Sequence, residues 1–143
     1  MTINSKNVFE VYKKIEKSND DQKSSYEIVK TILNELHKTI HLMINDIDKK
    51  KAFLISKQTQ YLKDVQKSIS KYVVRSLTTI YSLQTTLNFE QGGTIATNLF
   101  QLYEYCRKEI INAFAQNNNN GLKKAYDALQ EIIVAWDTME ISK

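Results

Sequence analysis

The stretch Leu87-Asn88-Phe89-Glu90-Gln91-Gly92-Gly93-Thr94-Ile95-Ala96-Thr97-Asn98-Leu99 contains two of the three glycines of a 143-residue chain that has no proline. Helical periodicity runs up to this stretch and resumes after it. Glycine enters the left-handed conformation without a Cβ penalty, so the pair predicts a helix C-cap and a tight reversal. Thr94 can cap the next helix with its hydroxyl. Gly121 follows four asparagines, which also tolerate the left-handed region, and it predicts a second reversal.

Around these reversals, apolar residues recur at the three- and four-residue spacing of amphipathic helices. Four such helices with short connections predict an all-α fold, an antiparallel four-helix bundle with a short N-terminal segment packing on it. The stripes are Tyr26, Val29, Leu33, Leu36, Ile40, Met43 and Ile47; Leu62, Val65, Ile69, Tyr72, Ser76, Ile80, Leu83 and Leu87; Ile95, Leu99, Leu102, Cys106, Ile110 and Ala113; and Leu122, Ala125, Leu129, Ile132, Trp136 and Met139.

The link between the first two stripes contains no helix-breaking residue. Either the first helix continues to about Ser56 or the second helix starts early, and the boundary between residues 48 and 62 stays open. Ser24 or Ser25 can cap the first helix. Residues 18–24 are polar and without periodicity, so we expect residues 1–24 to be an N-terminal segment and linker, and residues 25–143 to be the helical bundle domain.

Composition limits the function classes. No window approaches 18 consecutive apolar residues and no apolar signal region is present at the start, so we expect a cytoplasmic protein. Residues 1–75 carry fifteen Lys/Arg against nine Asp/Glu, but these lysines are spread around the helices, which favours a solvated surface over a nucleic-acid site. The single cysteine, Cys106, cannot form an internal disulfide, and we expect it to pack in the core.

No catalytic or cofactor pattern is recognisable. A di-metal bundle needs Glu-x-x-His pairs, and neither histidine has a glutamate three residues before it. His37 and His41 lie one helical turn apart without a suitably placed third ligand, so we expect no metal site. Neither a phosphate-binding glycine loop nor a nucleophile motif is present. We therefore expect no enzyme activity, no cofactor and no metal.

The chain has more apolar and aromatic residues than the four stripes require. The surplus falls on three consecutive helices, which suggests hydrophobic grooves that accept an amphipathic helix from a partner. Among these residues, Tyr105, Ile111 and Val134 also lie off the stripes. The residues predicted to bind the partner are Leu77, Tyr81, Phe100, Tyr103, Phe114, Tyr126 and Ile133.

Residues 87–105 resemble the signature of the flagellar secretion chaperone family FliS. In that family a Leu-Asn/Asp-hydrophobic-Glu-x-Gly-Gly turn leads into Ile-Ala-x-Asn-Leu and a Leu-Tyr-x-Tyr helix with paired basic residues. The matching residues here run from Leu87 through Tyr105 to Arg107-Lys108, and Ala135-Trp136 matches the Ala-Trp of the last helix. Asn7-Val8-Phe9-Glu10-Val11-Tyr12 is similar to the family's N-terminal motif. The distance from Ser25 to the double glycine is several helical turns longer than usual in the family.

The resemblance implies a cytoplasmic export chaperone that binds the C-terminal segment of flagellin. It would prevent premature polymerisation and keep its client competent for flagellar type III secretion. The family also implies an N-terminal plug, here Val8, Phe9 and Tyr12, that rests on the bundle until the client arrives. Flagellar export gate and regulatory proteins are further expected partners, with no nucleic acid and no direct membrane insertion. A flagellar co-chaperone or helical adaptor is the alternative, followed by a basic nucleic-acid-binding bundle.

Overall fold

The computed structural model describes residues 25–141, and all regular structure in this part of the chain is helical. The predicted plug residues Val8, Phe9 and Tyr12, and the proposed cap Ser24, lie outside the described residues. The helices are α1 (Ser25–Ile55), α2 (Leu62–Thr85), α3 (Phe89–Gln116) and α4 (Asn120–Ile141), with a short 3-10 helix (Thr59–Tyr61) before α2.

The four helices form a closed ring in which each one packs on its neighbours in sequence and α4 packs back on α1. Short connections make each adjacent pair antiparallel, so the predicted four-helix bundle is confirmed. The predicted stripes supply its core: the stripe positions of α1 from Tyr26 to Ile47 and of α4 from Leu122 to Trp136 are all buried. On α2 the polar Ser76 is also fully buried, and its hydroxyl donates to the Val73 carbonyl within the helix (3.0 Å).

The junction between the first two helices follows the first of the two predicted alternatives, because α1 continues to Ile55. The chain then reverses at Lys57, whose φ of 60° is left-handed. A 3-10 turn leads from this residue into α2, which begins at Leu62. The lysine run at residues 49–51 is therefore helical and does not interrupt α1.

At the glycine pair, the structure corrects the prediction of a C-cap and reversal. The chain reverses earlier, between Thr85 and Phe89, and Asn88 rather than Thr94 occupies the N-cap, with its side-chain oxygen accepting from the Gln91 amide (3.0 Å). The glycine pair lies inside α3, where Gly93 has φ 49° and ψ −123° and kinks the helix. An asparagine cap satisfies the helix start as well as a threonine does, so glycine is free to serve the kink.

The second reversal also uses a different residue from the predicted one. Asn117 adopts the left-handed conformation (φ 52°) that ends α3, whereas Gly121 lies in the first turn of α4. A Cβ at Gly121 would lie 1.6 Å from Oε2 of Glu109, so this glycine leaves room for the end of the Glu109 side chain. Asparagine enters the left-handed region at low cost, which is why it can replace glycine at the helix end.

Polar contacts tie α4 to α1 at both ends of the bundle. Near the start of α1, the Tyr26 hydroxyl donates to the Trp136 carbonyl, the Trp136 indole donates to the Tyr26 carbonyl (3.3 Å), and the two rings stack 5.1 Å apart. At the other end, the Asn119 amide donates to the Ile44 carbonyl (3.0 Å) and to Asp48 (2.9 Å). Among residues 25–141, none of the helices is both long and apolar enough to cross a membrane.

Candidate functional site

The adjoining outer sides of α2 and α3 carry a continuous set of partly or largely exposed apolar side chains. A helix surface that is apolar beyond its core stripe indicates a partner surface rather than a solvated one. We call this set the α2–α3 face, and it consists of Val74, Leu77 and Tyr81 on α2 and Phe100, Ile111 and Phe114 on α3.

One polar contact sets the register of this face. The Gln84 side-chain amide of α2 donates to Oε2 of Glu104 on α3 (2.9 Å), which identifies the facing sides of the two helices. Residues seven positions apart lie on the same side of a helix, two turns along. Leu77 therefore shares its side with Gln84, and Ile111 shares its side with Glu104. Because the helices are antiparallel, Leu77 and Ile111 lie at the same level.

A second pair of rows follows the same seven-residue spacing. Val74 and Tyr81 form the row on α2, and Tyr81 exposes 68% of its surface. On α3 the row runs through Phe100, Arg107 and Phe114. At the end near the glycine kink, Phe89 contacts Phe100 edge to face, with ring centroids 6.0 Å apart. The face therefore extends over the length of α3, with aromatic groups at both ends.

A charged pair interrupts the apolar face at its middle. Arg107 donates its Nε–H to Oε1 of Glu104 (2.7 Å) and forms a second contact through its terminal nitrogen. The hydrogen bonds from Arg107 and Gln84 lower the pKa of Glu104 to about 2, and the carboxylate raises the pKa of Arg107. The pair is therefore ionised at neutral pH, and it provides one fixed polar anchor between two apolar areas.

Four of the seven predicted partner-binding residues meet on this face: Leu77, Tyr81, Phe100 and Phe114. Tyr103 and Ile133 do not, because both are buried in the bundle core, and their predicted place in an exposed groove is wrong. The core stripe of α3 is wider than the spacing suggested, since Tyr103 beside Leu102 is covered as well. A helix packed between two neighbours buries a broad side rather than one row.

The seventh predicted residue, Tyr126, lies between α4 and α1, away from the face. Its ring stacks on His37 at 3.8 Å and contacts His41 at 5.6 Å. Burial lowers the pKa of His37, and the neighbouring His41 lowers it further. This cluster is a packing contact between α1 and α4, because the Tyr126 ring of α4 lies against both histidines of α1.

Val74 and Ile111 of the α2–α3 face, and Phe89 at its end, were not among the predicted partner-binding residues. Val74 precedes Tyr81 by seven positions, so the helical spacing could have identified it. Phe89 precedes the glycine pair and was expected in a turn, and only the earlier start of α3 brings its ring onto Phe100.

Two kinds of reactive site can be assessed in the described part of the chain, a metal centre and a cysteine nucleophile. Residues 25–141 contain no group of three His, Cys, Asp or Glu side chains that could hold a metal ion. Cys106 is buried, as predicted, and burial raises the pKa of its thiol to about 12. A thiol with such a pKa is almost entirely protonated at neutral pH and is a poor nucleophile.

Comparison with known proteins supplies the family. The family profile described as Flagellar protein FliS matches residues 10–143. The flagellar secretion chaperone FliS of Vibrio cholerae serotype O1 is 38% identical over 63 residues, which is 44% of this chain and 46% of that protein. The Salmonella typhimurium protein of the same name is 35% identical over 54 residues, or 38% of this chain and 40% of that protein. These matches span less than half the length of either relative. No solved structure matches the chain.

Proposed function

The chain belongs to the flagellar protein FliS family, and from this premise we propose that it is a cytoplasmic export chaperone for flagellin. In this proposal it binds the C-terminal segment of flagellin, prevents premature polymerisation and keeps the client competent for flagellar type III secretion. The activity is binding, without chemistry. Both relatives are named flagellar secretion chaperones, which supports the same class of function.

The α2–α3 face is the observation that carries the proposal. Exposed apolar side chains at seven-residue spacing on two antiparallel helices leave a groove that fits the apolar side of a third helix. The Glu104–Arg107 pair at its middle offers a charged group to the client's backbone or side chains. In the filament, the same apolar side of flagellin would contact other subunits, so covering it on the chaperone prevents assembly.

Affinity in this arrangement comes from apolar area and is reduced by ordering of the client. Burial contributes about 25 cal/mol for each Å² of apolar surface removed from water. A disordered client segment loses conformational entropy when it folds on the face, and this cost offsets part of the gain. The complex can therefore be specific and still release its client at the export site.

Titration of the protein with a peptide from the C-terminal end of flagellin, followed by far-UV circular dichroism, tests the proposal. We expect a one-to-one complex and a gain of helix. Phe100→Ala should lower affinity by about 1–3 kcal/mol. Tyr105→Ala is the matched control, because both residues lie on α3 and are 38% exposed, but Tyr105 lies outside the α2–α3 face. No binding at tens of micromolar, a weak limit on the affinity scale, would remove the flagellin proposal and favour the adaptor alternative.

The plug proposed for Val8, Phe9 and Tyr12 can be tested with the same titration. If these residues compete with flagellin for exposed apolar surface, deletion of residues 1–14 should leave the bundle folded and increase self-association. Client affinity should stay equal or become tighter, since a competitor has been removed. A folded deletion variant that no longer binds the client would place the segment in the client site and contradict the plug.

A further inference from the structure

The α1–α2 hairpin projects beyond the rest of the bundle. Asn119, in the α3–α4 connection, bonds to Ile44 and Asp48, so the end of α3 and the start of α4 lie level with that part of α1. The remaining turns of α1, from residue 49 to Ile55, extend about 10 Å farther at 1.5 Å per residue. We call residues 49–63 the hairpin tip.

Large apolar side chains occupy the apex of the hairpin tip. Ile55 is 83% exposed, Leu54 is 49% exposed, and Tyr61 is about equally exposed beside them. Phe53 lies beneath them, half-buried, with its ring 5.2 Å from that of Tyr61. The apex is convex, in contrast to the groove of the α2–α3 face. A convex apolar apex fits a soft or flat surface rather than a single helix.

Positive charge surrounds this apex. The hairpin tip contains five lysines and no aspartate or glutamate. The half of the bundle that includes it, residues 40–73 and 105–130, carries eleven Lys/Arg and five Asp/Glu. The opposite half, residues 25–39, 74–104 and 131–138, carries three Lys/Arg and six Asp/Glu. The bundle is therefore electrically polarised along its axis, with the positive end at the tip.

The charge of each possible partner decides which of them fits the hairpin tip. Residues 1–24 contain five lysines and four acidic residues, so they are not an anionic partner for the tip. Two tips of separate copies would repel each other. A nucleic acid would pair its phosphates with the lysines, but it has no apolar region that covers Leu54 and Ile55. A bilayer with anionic headgroups satisfies both features, since lysines remain near phosphates while aliphatic side chains enter the acyl boundary.

We propose that the hairpin tip docks on an anionic membrane surface, with Leu54 and Ile55 entering the headgroup–acyl boundary and the surrounding lysines contacting lipid phosphates. Tyr61 then lies at the depth that aromatic residues with a polar end prefer. The contact is peripheral and spans nothing. This membrane contact is separate from the proposed chaperone function, because it leaves the α2–α3 face open to a client.

Co-sedimentation of the full chain with vesicles tests the proposal, comparing phosphatidylcholine alone with phosphatidylcholine containing phosphatidylglycerol. We expect binding only to the anionic vesicles. Leu54→Asp should weaken it by about tenfold or more, and Lys57→Ala by about fivefold. Val134→Asp and Lys38→Ala are the matched controls, because Val134 is 52% exposed on α4 and Lys38 is exposed on α1 in the opposite half. All four sites are exposed, so circular dichroism should show folded variants.

Fluorescence quenching by brominated lipids tests the orientation. The native Trp136 lies at the far end of the bundle and should not be quenched, whereas a Tyr61→Trp variant should be quenched strongly. Absence of binding to anionic vesicles overturns the proposal, and so does an equal loss from Val134→Asp. Binding that depends on Lys57 but not on Leu54 also overturns it, because that result indicates adsorption by charge alone. Self-association through the tip without vesicle binding would assign the tip to a second copy instead.

Discussion

Replacing Gly93 by alanine should destabilise the protein through the backbone alone. The residue has φ 49° and ψ −123°, a combination that glycine adopts freely and that side-chain-bearing L-residues rarely adopt. A Cβ built at this position meets no atom within 4 Å, so steric conflict with neighbours contributes nothing. Conformational strain of this kind costs about 1–3 kcal/mol. For a chain of this size, about 2 kcal/mol corresponds to a decrease in Tm of about 4–8 °C.

Urea unfolding followed by far-UV circular dichroism measures the effect, with Gly121→Ala as the control. Gly121 lies in the first turn of α4, where alanine is a better helix former. Its Cβ would meet only the carboxylate end of the Glu109 side chain, which can rotate away. We therefore expect Gly121→Ala to be close to neutral and Gly93→Ala to be clearly destabilising. Gly93→Asn should also destabilise, because asparagine tolerates the left-handed helical region but not this ψ.

A change of less than about 0.5 kcal/mol for Gly93→Ala, the range of an ordinary surface substitution, would refute the reasoning. It would mean that the backbone relaxes to a regular helix at no cost and that the kink is not required. In that case the Phe89–Phe100 contact should also be lost, since the kink sets the direction of the first turn of α3.

Three further predictions concern the side chains of Tyr103, Cys106 and His37. Tyr103→Ala should lower the free energy of unfolding by about 3–5 kcal/mol because the side chain is buried, and a loss below that of Phe100→Ala would contradict its place in the core. Cys106 should react with a thiol reagent only after unfolding, since burial raises its pKa to about 12, and rapid labelling of the native protein would disprove this. The folded state lowers the pKa of His37 from 6.5, so unfolding takes up protons and stability should fall as pH decreases below 6.5. His37→Gln should make the free energy of unfolding less dependent on pH, as measured by urea titrations at several pH values. An unchanged pH dependence would assign the effect to other titrating groups.

The helices could be predicted from the sequence because each apolar stripe has to be covered by neighbouring helices. Every described position of the α1 stripe from Tyr26 to Ile47 is buried, and the same holds for α4 from Leu122 to Trp136. The apolar residues that fall outside the stripes also predicted most of the α2–α3 face, including Leu77 and Tyr81. The spacing of residues shows which way a side chain points on its own helix, and this information was sufficient to predict these positions.

Features that depend on a neighbouring helix were not predictable in this way. Tyr103 lies beside the α3 stripe, and only the position of the adjacent helices decides that it is covered. Tyr126 has the same spacing relation to its stripe, yet its neighbours are His37 and His41 of α1 rather than residues of the α2–α3 face. Glycine likewise signals unusual backbone without specifying which kind, so the Gly93 kink was mistaken for a helix end.

The reciprocal contact between Tyr26 and Trp136 has a consequence for the timing of folding during synthesis. These residues are separated by 110 positions, and they join the first-made helix of the bundle to the last-made one. Contacts so distant along the chain form late, because most of the polypeptide must already be present. Until α4 has left the ribosome, α1 has only α2 as a packed neighbour to cover its apolar side. The contact between α1 and α4 therefore closes last, and until then the nascent chain itself exposes the part of the α1 stripe that α4 will cover.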